Sequence, residues 1–103
     1  MEISFEKDLN SNLHVKAVGK LDIDTAAEYG MKINDAIDDY SGTKDLFLDF
    51  SQITYVASIG LRVLLELYQN VSKQGGSVNI INVQAPVAEV LKMTGFDKFL
   101  KVS

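Results

Sequence analysis

The 103-residue chain contains no cysteine, which excludes disulfides, thiolate metal sites and cysteine nucleophiles. It has one proline and one histidine, and nowhere does it approach the ~18 consecutive apolar residues of a membrane span. The opening "MEISFEKDLN" carries charge at positions 2, 6, 7 and 8, where a signal peptide needs an uninterrupted apolar region. A cytoplasmic protein with no membrane partner is therefore expected. Ten Lys and Arg against fourteen Asp and Glu give a net charge of −4, and neither sign forms a run able to track a phosphate backbone, so no nucleic-acid partner is expected. With 47% apolar residues the chain is long enough for one compact core and too short for two. A single domain over residues 1–103 is expected, without internal repeat, low-complexity tract or linker.

Beyond these absences, apolar spacing orders the chain. "EISFEKD" and "LHVKAVG" flank the polar "LNSN" as two strands flank a hairpin turn. In "IDTAAEYGMKINDAIDDY" the residues Ala26, Tyr29, Ile33, Ile37 and Tyr40 recur every three or four positions, the mark of an amphipathic helix. Thr25, followed three residues later by Glu28, predicts a capping box, with Asp24 as the competing cap. "SGTK" breaks the chain, and "DLFLDF" reads as a short strand of the kind buried on both faces of a parallel sheet. A second helix from about Ser58 to Gln74 ends at Gly75 and Gly76, followed by the strand "SVNIINV". Pro86 suits the first turn of a third helix and Gly95 its end, leaving "FDKFLKV" as an edge strand or extended segment. Strands alternating with helices predict an α/β domain with a largely parallel or mixed sheet, right-handed crossovers and helices on its faces.

The junction "TYVASIGLRVLLELY" holds a small hydroxyl among core-forming side chains. As an N-cap, Ser58 would accept from the N–H of Gly60 or Leu61 and contribute about 1 kcal/mol. The reciprocal half of a capping box is missing, because position 61 is Leu rather than Glu or Gln. Gly60 costs roughly 1 kcal/mol relative to Ala inside a helix, which predicts that something must approach the backbone there. An unshielded helix start with free N–H groups and a small hydroxyl also suits phosphate. Along this helix Arg62, Glu66, Gln69 and Lys73 make one narrow polar stripe, while Ile59, Leu61, Val63, Leu64, Leu65, Leu67, Tyr68 and Val71 cover the rest. Either neighbouring helices cover the excess apolar arc, or part of it beside Ser58 faces a partner protein.

Three segments in order, "VGKLDIDTA", "LFLDFSQITYVASIGLRVLLELY" and "GGSVNIINVQAPVAEVLKMTGFDKFLKV", resemble a bacterial anti-sigma factor antagonist, the stand-alone form of the STAS domain. The resemblance covers nearly the whole chain and is most specific around Ser58. It implies a mixed sheet of four or five strands with helices mainly on one side. It also implies a partner-switching protein, not an enzyme. In that family the unmodified form binds an anti-sigma factor that is also an ATP-dependent serine kinase, which frees the sigma factor. The kinase phosphorylates the serine at the helix start, ending the complex, and a metal-dependent phosphatase restores it. By resemblance Ser58 is the phosphoacceptor; helix geometry around it places Asp22, Ala57, Ile59, Gly60 and Arg62 on the partner surface, the small size fits a monomer, and no cofactor is expected.

Gly60 and Leu61 match the family's D-S-S-G-L or D-S-T-G-L run, whereas Ala57 and Ile59 stand where many members carry an acidic and a small residue. The change removes a charge from the kinase contact and adds bulk. Asp22 matches a family position near the phosphoacceptor and equally suits a turn-stabilising aspartate. The alternative class is a STAS-type module that binds a nucleotide, another small ligand or a lipid-transport partner and uses Ser58 only as a cap.

Other chemistry has less support. "ASIGL" lacks the glycine two residues before the serine of a nucleophile elbow, and His14 lies in an alternating strand as a surface or half-buried side chain, so a Ser/His hydrolase is not expected. Ser51 and Thr54 read as turn residues before they read as secondary phosphorylation sites. No lysine and Ser or Thr follow Gly75 and Gly76 in the order of a phosphate loop, and Asp38 and Asp39 lack calcium-loop spacing.

Overall fold

The computed structural model describes residues 1–39 and 45–103; Tyr40 and the "SGTK" break lie outside them. The hairpin forms from β1 (Glu2–Lys7) and β2 (Leu13–Leu21) in antiparallel register, with Ile3 opposite Ala17 and Phe5 opposite Val15. Helix α1 (Ala26–Asp39) returns the chain to β3 (Leu46–Asp49), parallel to β2. After β4 (Ile53–Val56) come α2 (Ser58–Lys73), β5 (Val78–Ile81), α3 (Ala85–Met93), a 3₁₀ turn (Phe96–Lys98) and β6 (Lys101–Val102). The main path of the sheet, β1-β2-β3-β5-β6, has the five strands and mixed pairing expected. Outside that path, β4 pairs with the end of β2.

Strand β2 serves both partners because Gly19 takes φ +123° where the register shifts, a conformation glycine adopts without steric cost. Residues 13–16 of β2 pair with β3, and Gly19, Lys20 and Leu21 pair with β4, the register shifting between Gly19 and Lys20. β4 therefore carries the chain beyond the rest of the sheet before α2 begins. Gly75 (φ +83°) and Gly95 (φ +80°) end their helices as expected.

One hydrophobic core joins Leu13, Val15, Leu46, Leu48, Phe50 and Ile80 of the sheet to Tyr29, Ile33, Leu64, Leu67, Val87 and Leu91 of the three helices. Burial raises the Tyr29 phenol above the ordinary tyrosine range. The opposite side of the sheet has no such cover, so β3 alternates buried and half-buried residues instead of being buried on both faces. Its open face stacks His14 on Phe47 at 4.8 Å and 9° between planes. His14 Nε2 lies 2.9 Å from Asp8 Oδ2, and this contact, with the N–H groups of Asn12 and Asn10, holds the Asp8 carboxyl at about 2. His14 is thus a half-exposed side chain of the hairpin.

The start of α1 differs from a capping box in its bonding, though Thr25 does precede the helix and its carbonyl accepts from Tyr29 N–H. The Thr25 hydroxyl is drawn back to the carbonyl of Lys20 and accepts from Asp22 N–H at 3.1 Å. Glu28 instead contacts Lys32 (3.0 Å) and the Met1 ammonium (3.1 Å), which lower its carboxyl below the usual range, Lys32 contributing most. The Thr25 hydroxyl thus ties the end of β2 to the turn instead of capping α1.

Candidate functional site

The Ser58 junction lies where β4 hands over to α2. Ala57 is extended (φ −83°, ψ 173°) and occupies the N-cap position. Its N–H bonds Leu21 O at 2.8 Å, continuing the β2/β4 pairing, and its C=O accepts the first helical bond from Leu61 N–H. Ser58 is therefore the first helical residue and not the cap, and α2 has no side-chain cap bond and no acidic residue in its first turn. The long-range bond to Leu21 fixes which residue is the last extended one, and it displaces the cap by one position from the sequence expectation.

This shift changes the chemistry of the serine. Ser58 is exposed, and among the described residues no group bonds its hydroxyl. It sits beside first-turn N–H groups that lack intrahelical partners and carry the positive end of the helix dipole. The Ser58 hydroxyl is thereby presented to solvent without a competing structural task. Ser58→Ala is expected to change unfolding stability by less than about 0.5 kcal/mol, while Ala57→Asp, which supplies the missing cap, adds about 1 kcal/mol. Urea unfolding of both variants checks this; a loss of ~1 kcal/mol in Ser58→Ala would restore the cap reading.

Gly60 is not part of the surface. It is buried, and a Cβ there would lie 2.8 Å from Leu21 O, 2.9 Å from Leu21 Cβ and 3.0 Å from Val56 Cγ1. What approaches the backbone is the chain itself. Two residues along a helix rotate by ~200°, so Ser58 faces out when Gly60 faces in. The sequence held this signal, because Gly60 leads the buried row Gly60, Leu64, Leu67 and Val71.

Asp22 forms the turn into α1: its Oδ1 accepts from Asp24 N–H at 3.0 Å, and its carbonyl accepts from Thr25 and Ala26. It adjoins the junction through Leu21, the residue bonded to Ala57. Arg62 is exposed and pairs with Glu66 at 3.5 Å, a surface pair worth little to stability. Most of the excess apolar arc of α2 is covered. Val63 packs at Gly30 of α1, where a Cβ would come within 2.8 Å of Val63 Cγ1, and Tyr68 meets Phe99 at 4.8 Å. Ile59 stays 39% exposed.

Two further exposed apolar residues flank the junction, Ile23 at 84% and Met31 at 59%. Sequence reasoning missed both: Met31 departs from the Ala26, Tyr29, Ile33, Ile37 spacing that marks the buried side of α1, whereas Ile23, three residues before Ala26, keeps to that spacing but lies in the turn ahead of the helix. Among the described residues, no three carboxylate or imidazole groups are placed to hold a metal ion, and no helix is long and apolar enough to cross a membrane.

Residues 5–103 match the STAS domain family. The chain belongs to that family. A related protein, the anti-sigma F factor antagonist of Paenibacillus polymyxa, is 28% identical over 90 residues, covering 87% of this chain and 76% of the relative. Among solved structures, the anti-sigma factor antagonist SpoIIAA in its unphosphorylated form superposes with a TM-score of 0.75 at 16% identity, over 99% of this chain and 87% of the other. The phosphorylated form of the Bacillus cell fate determinant SpoIIAA gives 0.74 at 16%, over 99% and 91%. At such identities the likeness concerns the fold. This STAS chain thus shares a backbone with an antagonist solved both with and without its phosphate.

Proposed function

We propose that this STAS protein is an anti-sigma factor antagonist that works as a phosphorylation-gated switch. Its unmodified form binds an anti-sigma factor that is also an ATP-dependent serine kinase and thereby frees the sigma factor. Transfer of a phosphoryl group to the Ser58 hydroxyl ends the complex, and a metal-dependent phosphatase restores it. The observation that carries this reading is the exposed, unbonded Ser58 hydroxyl at the first position of α2, with Ala57 as the cap. The curated relative named as an anti-sigma F factor antagonist supports it.

The physics of the switch is local. Phosphate adds about −1.5 to −2 charges at pH 7, which the helix N-terminus accommodates in the free protein. In a closed interface the same group has to be desolvated and sterically accommodated. The free fold tolerates the modification and the complex does not. Ala57 leaves no carboxylate next to the acceptor, and Ile59 adds apolar surface, so the cognate kinase recognises this junction by shape more than by charge.

Intact-mass analysis after incubation with the ATP-binding anti-sigma kinase of the same genome tests the assignment. One added phosphate is expected on the wild type and none on Ser58→Ala. Equal phosphate on both would move the acceptor to another hydroxyl, and none on either would reject a kinase partner. A ligand-binding STAS module that uses Ser58 only as a cap has no support in the bonding at this junction.

A further inference from the structure

Beside Ser58 a groove of about 380 Å³ runs between α1 and α2, lined by Ala27, Gly30 and Met31 on one side and Ile59 and Val63 on the other. Its upper end opens at Ile59, next to Ser58, and the Asn70 amide donates to Asn34 Oδ1 at 2.8 Å to close its lower end. Ile59, Val63 and Glu66 follow one another by four and three residues, so the opening is about two helical turns long, roughly 10 Å. Gly30 keeps its floor deep: any side chain there would meet Val63. Exposed apolar side chains on both walls (Met31, Ile59) are the pattern of a docking groove.

Charge selects the occupant. The cations around the groove are already used, Lys32 by Glu28 at 3.0 Å and Arg62 by Glu66 at 3.5 Å. Asp35 and Asp38 continue the Met31 row of α1 by four and seven residues, exposed, and no cation pairs with either among the described residues. Asp22 and Asp24, in the turn before α1, likewise have no cation partner among the described residues. The groove is therefore an apolar slot with an uncompensated acidic margin on its α1 side, complementary to an apolar ridge with lysine or arginine along one flank.

We propose that this α1/α2 groove receives an amphipathic helix of the anti-sigma partner, two turns long, with apolar anchors at three- and four-residue spacing and a basic flank against Asp35 and Asp38. The inference rests on the antagonist reading above and extends the interface from Ser58 down the helix pair. It also assigns a task to Ile59, which joins the phosphoacceptor to the upper wall of the slot. Phosphate on Ser58 then acts at the mouth of a groove already engaged, lifting the upper anchor of the bound helix away from Ile59.

The test is calorimetric titration of the anti-sigma kinase of the same genome, loaded with a non-hydrolysable ATP analogue so that Ser58 is not phosphorylated during the titration, with four forms: wild type, Ser58→Asp, Met31→Lys and the pair Asp35→Lys/Asp38→Lys. Met31 and the two aspartates are exposed on α1, so unchanged melting curves are expected for their variants. Met31→Lys is expected to weaken binding at least tenfold, and the charge-reversed pair to weaken it and to flatten the dependence of affinity on salt. Wild-type affinity in Met31→Lys together with loss in Ser58→Asp would leave the antagonist reading standing and overturn the groove. Absence of binding by the wild type would overturn both. A wild-type dimer on a sizing column that Met31→Lys converts to monomer would identify the occupant as a second copy of this chain and also overturn the proposal.

Discussion

Ser58→Asp is expected to lose at least tenfold in affinity for the anti-sigma kinase loaded with a non-hydrolysable ATP analogue, about 1.4 kcal/mol or more, while its melting temperature stays equal to or slightly above that of the wild type. The two halves of this result have separate causes. A carboxylate at the first helical position faces free N–H groups and the positive end of the dipole, worth 0.3–1 kcal/mol in the free protein. The same carboxylate in a closed interface is a buried charge without a partner and costs several times that. Calorimetry and thermal unfolding on one sample distinguish the effects. Weak binding with an intact fold makes Ser58 the gate, whereas equal binding by both forms would mean that the partner docks without enclosing this residue.

Gly60→Ala should be the most damaging conservative change near the site, lowering unfolding stability by about 1–3 kcal/mol despite the better helix propensity of alanine. The added methyl would sit 2.8 Å from Leu21 O and 2.9 Å from Leu21 Cβ. Leu21 cannot withdraw, since the same carbonyl accepts the Ala57 N–H at 2.8 Å and its side chain is fully buried. Relief has to come from lifting the first turn of α2, which displaces Ala57 and Ser58 as well. Denaturant unfolding reads the loss of stability, and slower phosphorylation of Ser58 would report the displaced turn. A stability equal to or above that of the wild type would show that the helix start is free to move.

The two variants share one structural cause, the bond between Ala57 and Leu21, and it marks the boundary of what local pattern could foresee. The α1 row of Ala26, Tyr29, Ile33 and Ile37 is buried as its spacing predicted, the last two helices stop at Gly75 and Gly95, and β5 follows α2 as expected. The STAS resemblance located Ser58 at the start of α2, and α2 does begin there. Three details differ. The capping box at Thr25 is replaced by a bond to Lys20 O, the cap of α2 is Ala57, and Gly60 packs inward instead of lining the partner surface.

For the α2 cap and for Gly60 the winning contact comes from Leu21 of β2, a strand distant in sequence that the junction meets only because β4 pairs with its upper end, whereas Thr25 bonds the Lys20 carbonyl five residues back. Helix periodicity, glycine stops and the α/β order act over a few neighbouring residues, so the amino-acid sequence by itself determined them. Tertiary structure decided which residue caps α2, which side of that helix is covered, and where exposed apolar residues gather into a groove. Those outcomes depend on which groups find partners across the fold, and a backbone N–H next to an unpaired carbonyl prevails over any single side-chain preference because leaving it unpaired in the interior costs more than a cap contributes.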